Sequence, residues 1–351
     1  DSKDFNNIEK IKTHGIKGAD ISGINFIQLR VDRKFIVGRE GKGIDILQKT
    51  MQVSRTFCTT FSIGSLETCL KEAYTFSQKR VLYGKPIYEM ETIRNQIKKS
   101  YVTLLATEAI GLLITRFITT NPDVMSLYSA VSKYLVPKLA ASSIESLCEL
   151  VGAKAYLREN DFAILEKYRR DHKVVSIFDG SSSVNLSIIA RQFNNIKRHL
   201  ALKPTTDFYK SFVVDESCEQ FTGKGLILSN RANDIVFCSY YSCQNQIDNE
   251  TKQVINSALQ KLSSDIDNFD NEATSTIAQK IASDYSKCLS ACLYVIFYIN
   301  NKKSLKKTID LSLLPQVINL ILGHDINYKD ITIDILKNKL ISHWDLNSLE
   351  S

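Results

Sequence analysis

Apolar residues three and four positions apart divide residues 44–202 into long helical stretches. The first runs from about Ile44 to Leu82, with Phe57, Phe61, Leu66, Leu70 and Ala73 as core positions and a place to bend at Gly64. The second runs from about Thr92 to Thr119 through Ile93, Ile97, Tyr101, Leu104 and Leu112, and Asn121-Pro122 ends it. The third, from about Asp123 to Val151, contains Pro137, where a lost hydrogen bond and a ring clash predict a kink. Gly152 supplies its stop. After an irregular stretch a fourth helix is expected from about Ser181 to Leu202, with a serine as N-cap. Four helices with short joins make a bundle.

A different period precedes them. Ile27, Leu29 and Val31 alternate with Gln28 and Arg30 within Ile24 to Val31, as in a half-buried strand, and a Gly15 and Gly18 pair marks a turn in the polar residues before it. One strand or two cannot make a stable sheet alone, so further strands are either missing from this chain or supplied by a partner. Lys203-Pro204-Thr205-Thr206 reads as a linker. Behind it the chain is rich in Asn, Ser, Asp and Lys, with helical patterns near 250–264, 271–300, 312–323 and 330–341. The resulting division is a strand-bearing part over 1–38, a four-helix bundle over 39–203 and a helical extension over 204–351.

The composition, 44% hydrophobic over 351 residues, is that of a globular chain able to bury a large core. A net charge of +7 suits anionic partners such as phosphates but falls short of a nucleic-acid stripe. Eight cysteines without a CxxC pair or a histidine at zinc spacing read as buried free thiols of a reducing, intracellular compartment, and no metal site is expected. The longest apolar run, near Cys288 to Ile299, is only about 12 residues, against ~20 for a membrane span, so none is expected. No n-region or h-region opens the chain, so no signal peptide is expected either.

Two loops carry candidate chemistry. Val37 to Gly43 reads V-G-R-E-G-K-G ahead of a helix, a place where phosphate can be cradled, but its spacing matches neither the Walker loop nor the dinucleotide fingerprint. Ser176 to Arg191 reads S-I-F-D-G-S-S-S-V-N-L-S-I-I-A-R. On its own an Asp before Gly is commonly a turn residue. The basic run Lys302-Lys303 with Lys306-Lys307 and the Cys288 and Cys292 pair read as a solvated helix end and as packing. Trp344 reads as an anchor for the C-terminal tail, and none of the five histidines is given a role.

Four segments in order resemble the acyl-CoA dehydrogenase superfamily over about Gly15 to His199. Gly38 to Gly43 is similar to the glycine loop between the family's middle β-domain and its helical bundle. Phe76-Ser-Gln-Lys-Arg80-Val-Leu-Tyr83-Gly84-Lys-Pro-Ile87 looks like an aromatic-x-x-x-Arg-x-Thr-Phe-Gly-x-x-Ile motif. Glu149-Leu-Val-Gly152-Ala153-Lys-Ala-Tyr156 resembles Gln-x-x-Gly-Gly-x-Gly-Tyr. Arg170-Asp171 and then Asp179-Gly180-Ser181 stand where the family has its catalytic Glu-Gly-Thr loop.

The resemblance implies a mainly α fold, an acyl-CoA dehydrogenase-type C-terminal four-helix bundle with a remnant of the β-domain before it and an extra helical lobe behind. It implies flavin-dependent α,β-dehydrogenation of an acyl thioester, with FAD as cofactor and Asp179 as base. Arg80, Tyr83, Gly84, Ile87, Glu149, Gly152, Ala153, Ser181 and Ser183 would bind FAD, and Arg55 and Gly180 the substrate. Implied partners are a second or further copies in a homodimer or homotetramer, or a chain supplying the N-terminal half, and an electron-acceptor protein. The compartment would be the cytoplasm, or the mitochondrial matrix in a eukaryote. The Phe-Asp-Gly-Ser loop and the Tyr-Leu-Val-Pro run at 134–137 are similar to a branch that desaturates acyl groups on carrier proteins. Departures are Leu82 for Thr, Glu91 and Glu149 for Gln, Ala153 for Gly and Ser183 for Gln. Ser54 beside Arg55 removes the base that some relatives carry on the first helix. A non-catalytic dehydrogenase-like subunit or dimerisation platform is the alternative, and an unrelated helical scaffold a third.

Overall fold

The structure is a computed structural model that describes residues 4–200, 209–230, 234–270, 272–302, 313–326 and 328. The linker at 203–206, most of the basic run at 302–307, the helical pattern at 330–341 and Trp344 lie outside the described residues.

Three long helices carry the molecule: α1 (Gly43–Lys79), α2 (Glu91–Thr120) and α3 (Met125–Val151). Their contacts juxtapose Cys58 with Lys133 and Cys69 with Cys148, so α1 and α3 run in the same direction with α2 returning between them. Leu66, Leu70, Ala73, Ile97, Tyr101, Leu104, Val131 and Leu147 fill the space between them. Burying a side chain of this size is worth about 1.5–3 kcal/mol each, which is why the apolar period sets the bundle. α1 passes through Gly64 and α3 through Pro137 without interruption. The end of α3 is as expected: Gly152, at φ 71, sits in a region that glycine enters without steric cost. By length and composition α2 could cross a membrane, but most of its apolar stretch is buried inside the bundle, as in a core helix.

Several expectations need correcting. The periodic pattern of α1 runs to Leu82, but the helix ends at Lys79, and Val81–Leu82 pairs with Lys85–Pro86 in a small antiparallel hairpin. Phe57, Phe61 and Leu112, expected in the core, are exposed, because each lies on a helix face that no described element covers. The irregular stretch after Gly152 contains a further helix, α4 (Ala163–His172), whose charged sequence hides its short apolar stripe. The fourth helix is two, α5 (Ser182–Ala190) and α6 (Phe193–Leu200), separated at Arg191-Gln192, where the buried Gln192 side chain accepts from Asn230 N–H instead of facing solvent.

The expected strand from Ile24 to Val31 is shorter, Gly23–Phe26, and pairs antiparallel with Phe5–Ile8, which the polar composition of that segment concealed. Both strands leave their side chains largely exposed. Asp171 ties this hairpin region to the bundle by accepting from Ile16 N–H at 2.7 Å. Beyond the bundle come α7 (Tyr209–Phe212), α8 (Ile235–Cys243), α9 (Asn249–Asp267), α10 (Thr276–Asn301) and α11 (Leu314–Leu322). α8 was not expected; its nine residues are too few for a period to stand out. α10 is the hub of the extension, and it packs on α5, α2 and α3 of the bundle as well as on α8, α9 and α11. All eight cysteines are free, but Cys218 is exposed and Cys243 only half-buried, against the expectation of burial throughout.

Candidate functional site

The loop between α4 and α5 holds an aspartate in a conformation that favours glycine. Asp179 has φ 54 and Gly180 φ 101, so two consecutive residues lie in left-handed or wider space. Holding a non-glycine residue there costs of order 1–3 kcal/mol and persists only where the surroundings over-determine it. Here they do. Arg55 of α1, 6% exposed, donates from Nε to the Asp179 carbonyl at 2.9 Å. Buried Asn185 of α5 donates from Nδ2 to the Gly180 carbonyl at 2.8 Å and the Ser181 carbonyl at 3.0 Å. Ser181 Oγ accepts from Val184 N–H at 3.4 Å and so caps α5, the role expected of it.

The other wall comes from α3. Lys133, 2% exposed, donates from Nζ to the Val175 carbonyl and lies 4.6 Å from the centre of the Phe178 ring. The Asp179 carboxylate faces the buried Cys58 thiol, with Oδ2 3.8 Å from Sγ, and Ser54 O is the thiol's other acceptor at 3.3 Å. Burial pushes the Cys58 thiol up, Lys133 opposes that and Asp179 adds to it. Burial also lowers Arg55 and Lys133, each opposed by the nearby Asp179 charge. Below this layer His172 of α4 shares a 3.0 Å hydrogen bond with Ser62, and burial, then Lys133 and Lys173, lower it to about 4, so it is neutral.

The Asp179 N–H meets no acceptor among the described residues. Ile177, two residues before Asp179, is 65% exposed, and Phe57 and Phe61 of α1 are exposed as well. A carboxyl group, a spare backbone donor and an exposed apolar neighbour are what removal of a proton beside an acyl group would use.

The remaining residues singled out from the sequence lie elsewhere. Arg80, Tyr83 and Gly84 form the hairpin at the far end of α1, roughly 37 Å from Arg55 at 1.5 Å per residue. Glu149, Gly152 and Ala153 sit at that same end of the bundle, where Phe76 packs edge-on against Phe162 at 5.2 Å. Arg80 is exposed and pairs with no acid among the described residues, Tyr83 is 95% exposed, and Ile87 is buried in the core. Gly84 and Gly152 have positive φ and open space around them. A free guanidinium beside two uncrowded glycines suits a phosphate group, and Glu149, exposed at the same end, opposes it. These residues would hold the phosphate part of FAD, and the described residues build no wall for its ring. Ser183 lies on α5, where its Oγ accepts from Gln279 Nε2 of α10 at 2.7 Å.

Sequence reasoning missed Lys133, Cys58, Asn185 and Gln279. No spacing marks Cys58 or Gln279, and a lysine inside an apolar helical run was the only visible sign of Lys133.

Residues 41–193 match the model of the acyl-CoA dehydrogenase C-terminal domain. Cyclohex-1-ene-1-carbonyl-CoA dehydrogenase of Geobacter metallireducens is 23% identical over 177 residues, which cover 50% of this chain and 46% of that relative. The probable acyl-CoA dehydrogenase FadE10 of Mycobacterium tuberculosis is 25% identical over 188 residues, 52% of this chain and 29% of the relative. The chain thus spans about half, or less, of the length of the curated relatives it matches. Among solved structures, an acyl-CoA dehydrogenase complexed with FAD from Bacillus anthracis superposes with a TM-score of 0.67 at 14% identity, covering 92% of this chain and 55% of that one. That likeness in fold reaches into the extension as well as the bundle. The family match over residues 41–193, with a fold of the same kind, supports the acyl-CoA dehydrogenase superfamily for this part of the chain, as its helical C-terminal domain.

Proposed function

We propose that this chain supplies the base and the bundle of a flavin-dependent enzyme that dehydrogenates an acyl thioester between its α and β carbons. The observation that carries the reading is the Asp179 loop, clamped from α1 and α5, with a backbone N–H that meets no acceptor among the described residues and with exposed Ile177 two residues before it. The Asp179 carboxylate takes the α-proton. Its backbone N–H donates to the thioester oxygen as negative charge gathers there, a kind of contact worth several kcal/mol when preorganised. FAD, if held by these residues, would supply the acceptor for the hydride that leaves the β-carbon. Aspartate is one methylene shorter than glutamate, a withdrawal of about 1.5 Å or less, and proton transfer needs contact at ~2.6–3.2 Å. The clamp from Arg55 and Asn185 fixes where that shorter carboxylate ends.

The distance between the Asp179 and Arg80 groups supports an assembly in which a second copy brings Arg80, Tyr83, Gly84, Glu149, Gly152 and Ala153 to the flavin held beside the first copy's Ser181 and Ser183. Gly180, next to Arg55, would line the thioester end. The exposed apolar surface over Ile24, Phe26, Val31, Phe35, Val37, Ile44 and Leu47 supports cover by the strands and helices that relatives carry ahead of this region. Free thiols throughout favour a reducing compartment. Carrier-protein substrates remain the finer reading, resting on the 134–137 and 178–181 resemblance. An electron-acceptor protein is the further partner.

A non-catalytic, bundle-forming subunit is the second reading, favoured by the acids at Glu91 and Glu149 and by the Gln279 amide already seated on Ser183. Colour separates the two. The assembly isolated from its natural source is expected to be yellow and to bleach when an acyl thioester is added without oxygen. An assembly that is colourless and stays so with added FAD overturns the first reading.

A further inference from the structure

We propose that Lys133 is a positioning residue for Asp179, its buried ammonium joining α3, the Val175–Phe178 turn and the Cys58 thiol into one charge-coupled cluster that sets where the carboxylate stands. The inference rests on the reading of Asp179 as a base, but the cluster is testable without turnover.

A lysine is rarely buried unless something inside repays the loss of water. Lys133 is 2% exposed, and what it meets is specific: the Val175 carbonyl, the face of Phe178 and, through Cys58, the Asp179 carboxylate. The carbonyl and ring belong to the turn that immediately precedes Asp179, so the ammonium fixes the turn from below while Arg55 fixes the Asp179 carbonyl from α1. The thiol completes the chain. Its Sγ lies 3.8 Å from Asp179 Oδ2, and its acidity responds to Lys133 and to Asp179 in opposite directions. The charged or titratable groups facing the cluster are Arg55 and Cys58 from α1, Lys133 from α3, His172 from α4 and Asp179 from the loop. His172 is neutral, and among the described residues Lys133 and Arg55 are the cations that Asp179 acts on.

Cys58 is therefore a built-in reporter. In the full chain, iodoacetamide alkylation of Cys58 is followed by peptide mapping across roughly pH 8 to 11, for the wild type and for Lys133→Met, Lys133→Arg and Asp179→Asn. Lys133→Met is expected to move the alkylation midpoint up, giving about tenfold slower reaction on the acid side of the midpoint. Lys133→Arg should return it to within about twofold of the wild type, since the charge is kept. Asp179→Asn should move the midpoint down. If Lys133 merely plugs the core, removing it opens the loop to water and the midpoint falls, which overturns the proposal. An arginine variant no better than the methionine one overturns it too. Asp179→Asn changes no packing volume, so should Lys133→Met fail to fold, an unchanged Cys58 midpoint in Asp179→Asn still refutes the coupling. A colourless assembly with the expected alkylation pattern would refute the flavin reading while leaving the cluster intact.

Discussion

At the scale of single residues, the layer under Asp179 makes a pH prediction through His172. In the unfolded chain histidine titrates near its ordinary value, about 6.5, and in the fold His172 is held at about 4. Between these values the unfolded state binds the extra proton, so stability is fully present above about pH 6.5 and is lost as pH falls toward 4. Two and a half units correspond to about 3 kcal/mol, as an order of magnitude. Urea unfolding of His172→Gln against the wild type should show the variant less sensitive to pH over that window, and equal slopes would contradict the neutral, buried imidazole. This residue shows how little of the site's support was legible beforehand. Asp179, Gly180 and Ser181 announce themselves as a polar triplet between apolar runs. Lys133, Asn185 and His172 act from other elements 46, 6 and 7 positions away, and their roles depend on which helices become neighbours. Nothing local encodes that.

Among elements, the most exacting junction is the start of α8. Asp234 is its N-cap, donated to by Phe237 N–H, and it is fully buried beside Tyr128 of α3. Burial raises it to about 7, opposed by the hydrogen bonds from Phe237, Tyr128 and Val236. The folded value lies above the unfolded one, so its contribution is fully present below about pH 4 and is lost as pH rises through 7. Asp234→Asn keeps the capping oxygen and removes the charge. It should gain on the wild type as pH rises from 4 to 8, by up to a few kcal/mol, and the thermal midpoint against pH checks this. A variant that tracks the wild type at every pH would mean that the carboxylate is not dehydrated. This slope opposes that of His172, so each must be read as a difference from the wild type. Long elements were legible because a period repeated over 27 residues or more is hard to mistake. Short ones were not. α4 and α8, at 10 and 9 residues, carry two turns or so of pattern, and the break at Arg191-Gln192 is made by a tertiary hydrogen bond that leaves no local trace.

For the whole molecule, the balance of buried and exposed apolar surface carries the account. The bundle and extension are joined through α10, with Gln279 on Ser183 and Ser283 on Tyr134 at 2.8 Å, so α5 and the Asp179 loop are backed by the extension. Phe26, Phe35, Ile44, Phe57 and Phe61 are left exposed. The period-3.6 pattern alone put Phe57 and Phe61 in the core, since periodicity reports an apolar face without saying which molecule covers it. The strained, doubly clamped Asp179 with its spare N–H is the strongest support for reading this loop as a working site. The most direct measurement is anaerobic bleaching of the flavin-loaded assembly by an acyl thioester, comparing the wild type with Asp179→Asn. The account predicts that the variant keeps its flavin and its fold and bleaches about 10²–10⁴-fold more slowly, whereas bleaching at the wild-type rate would contradict it.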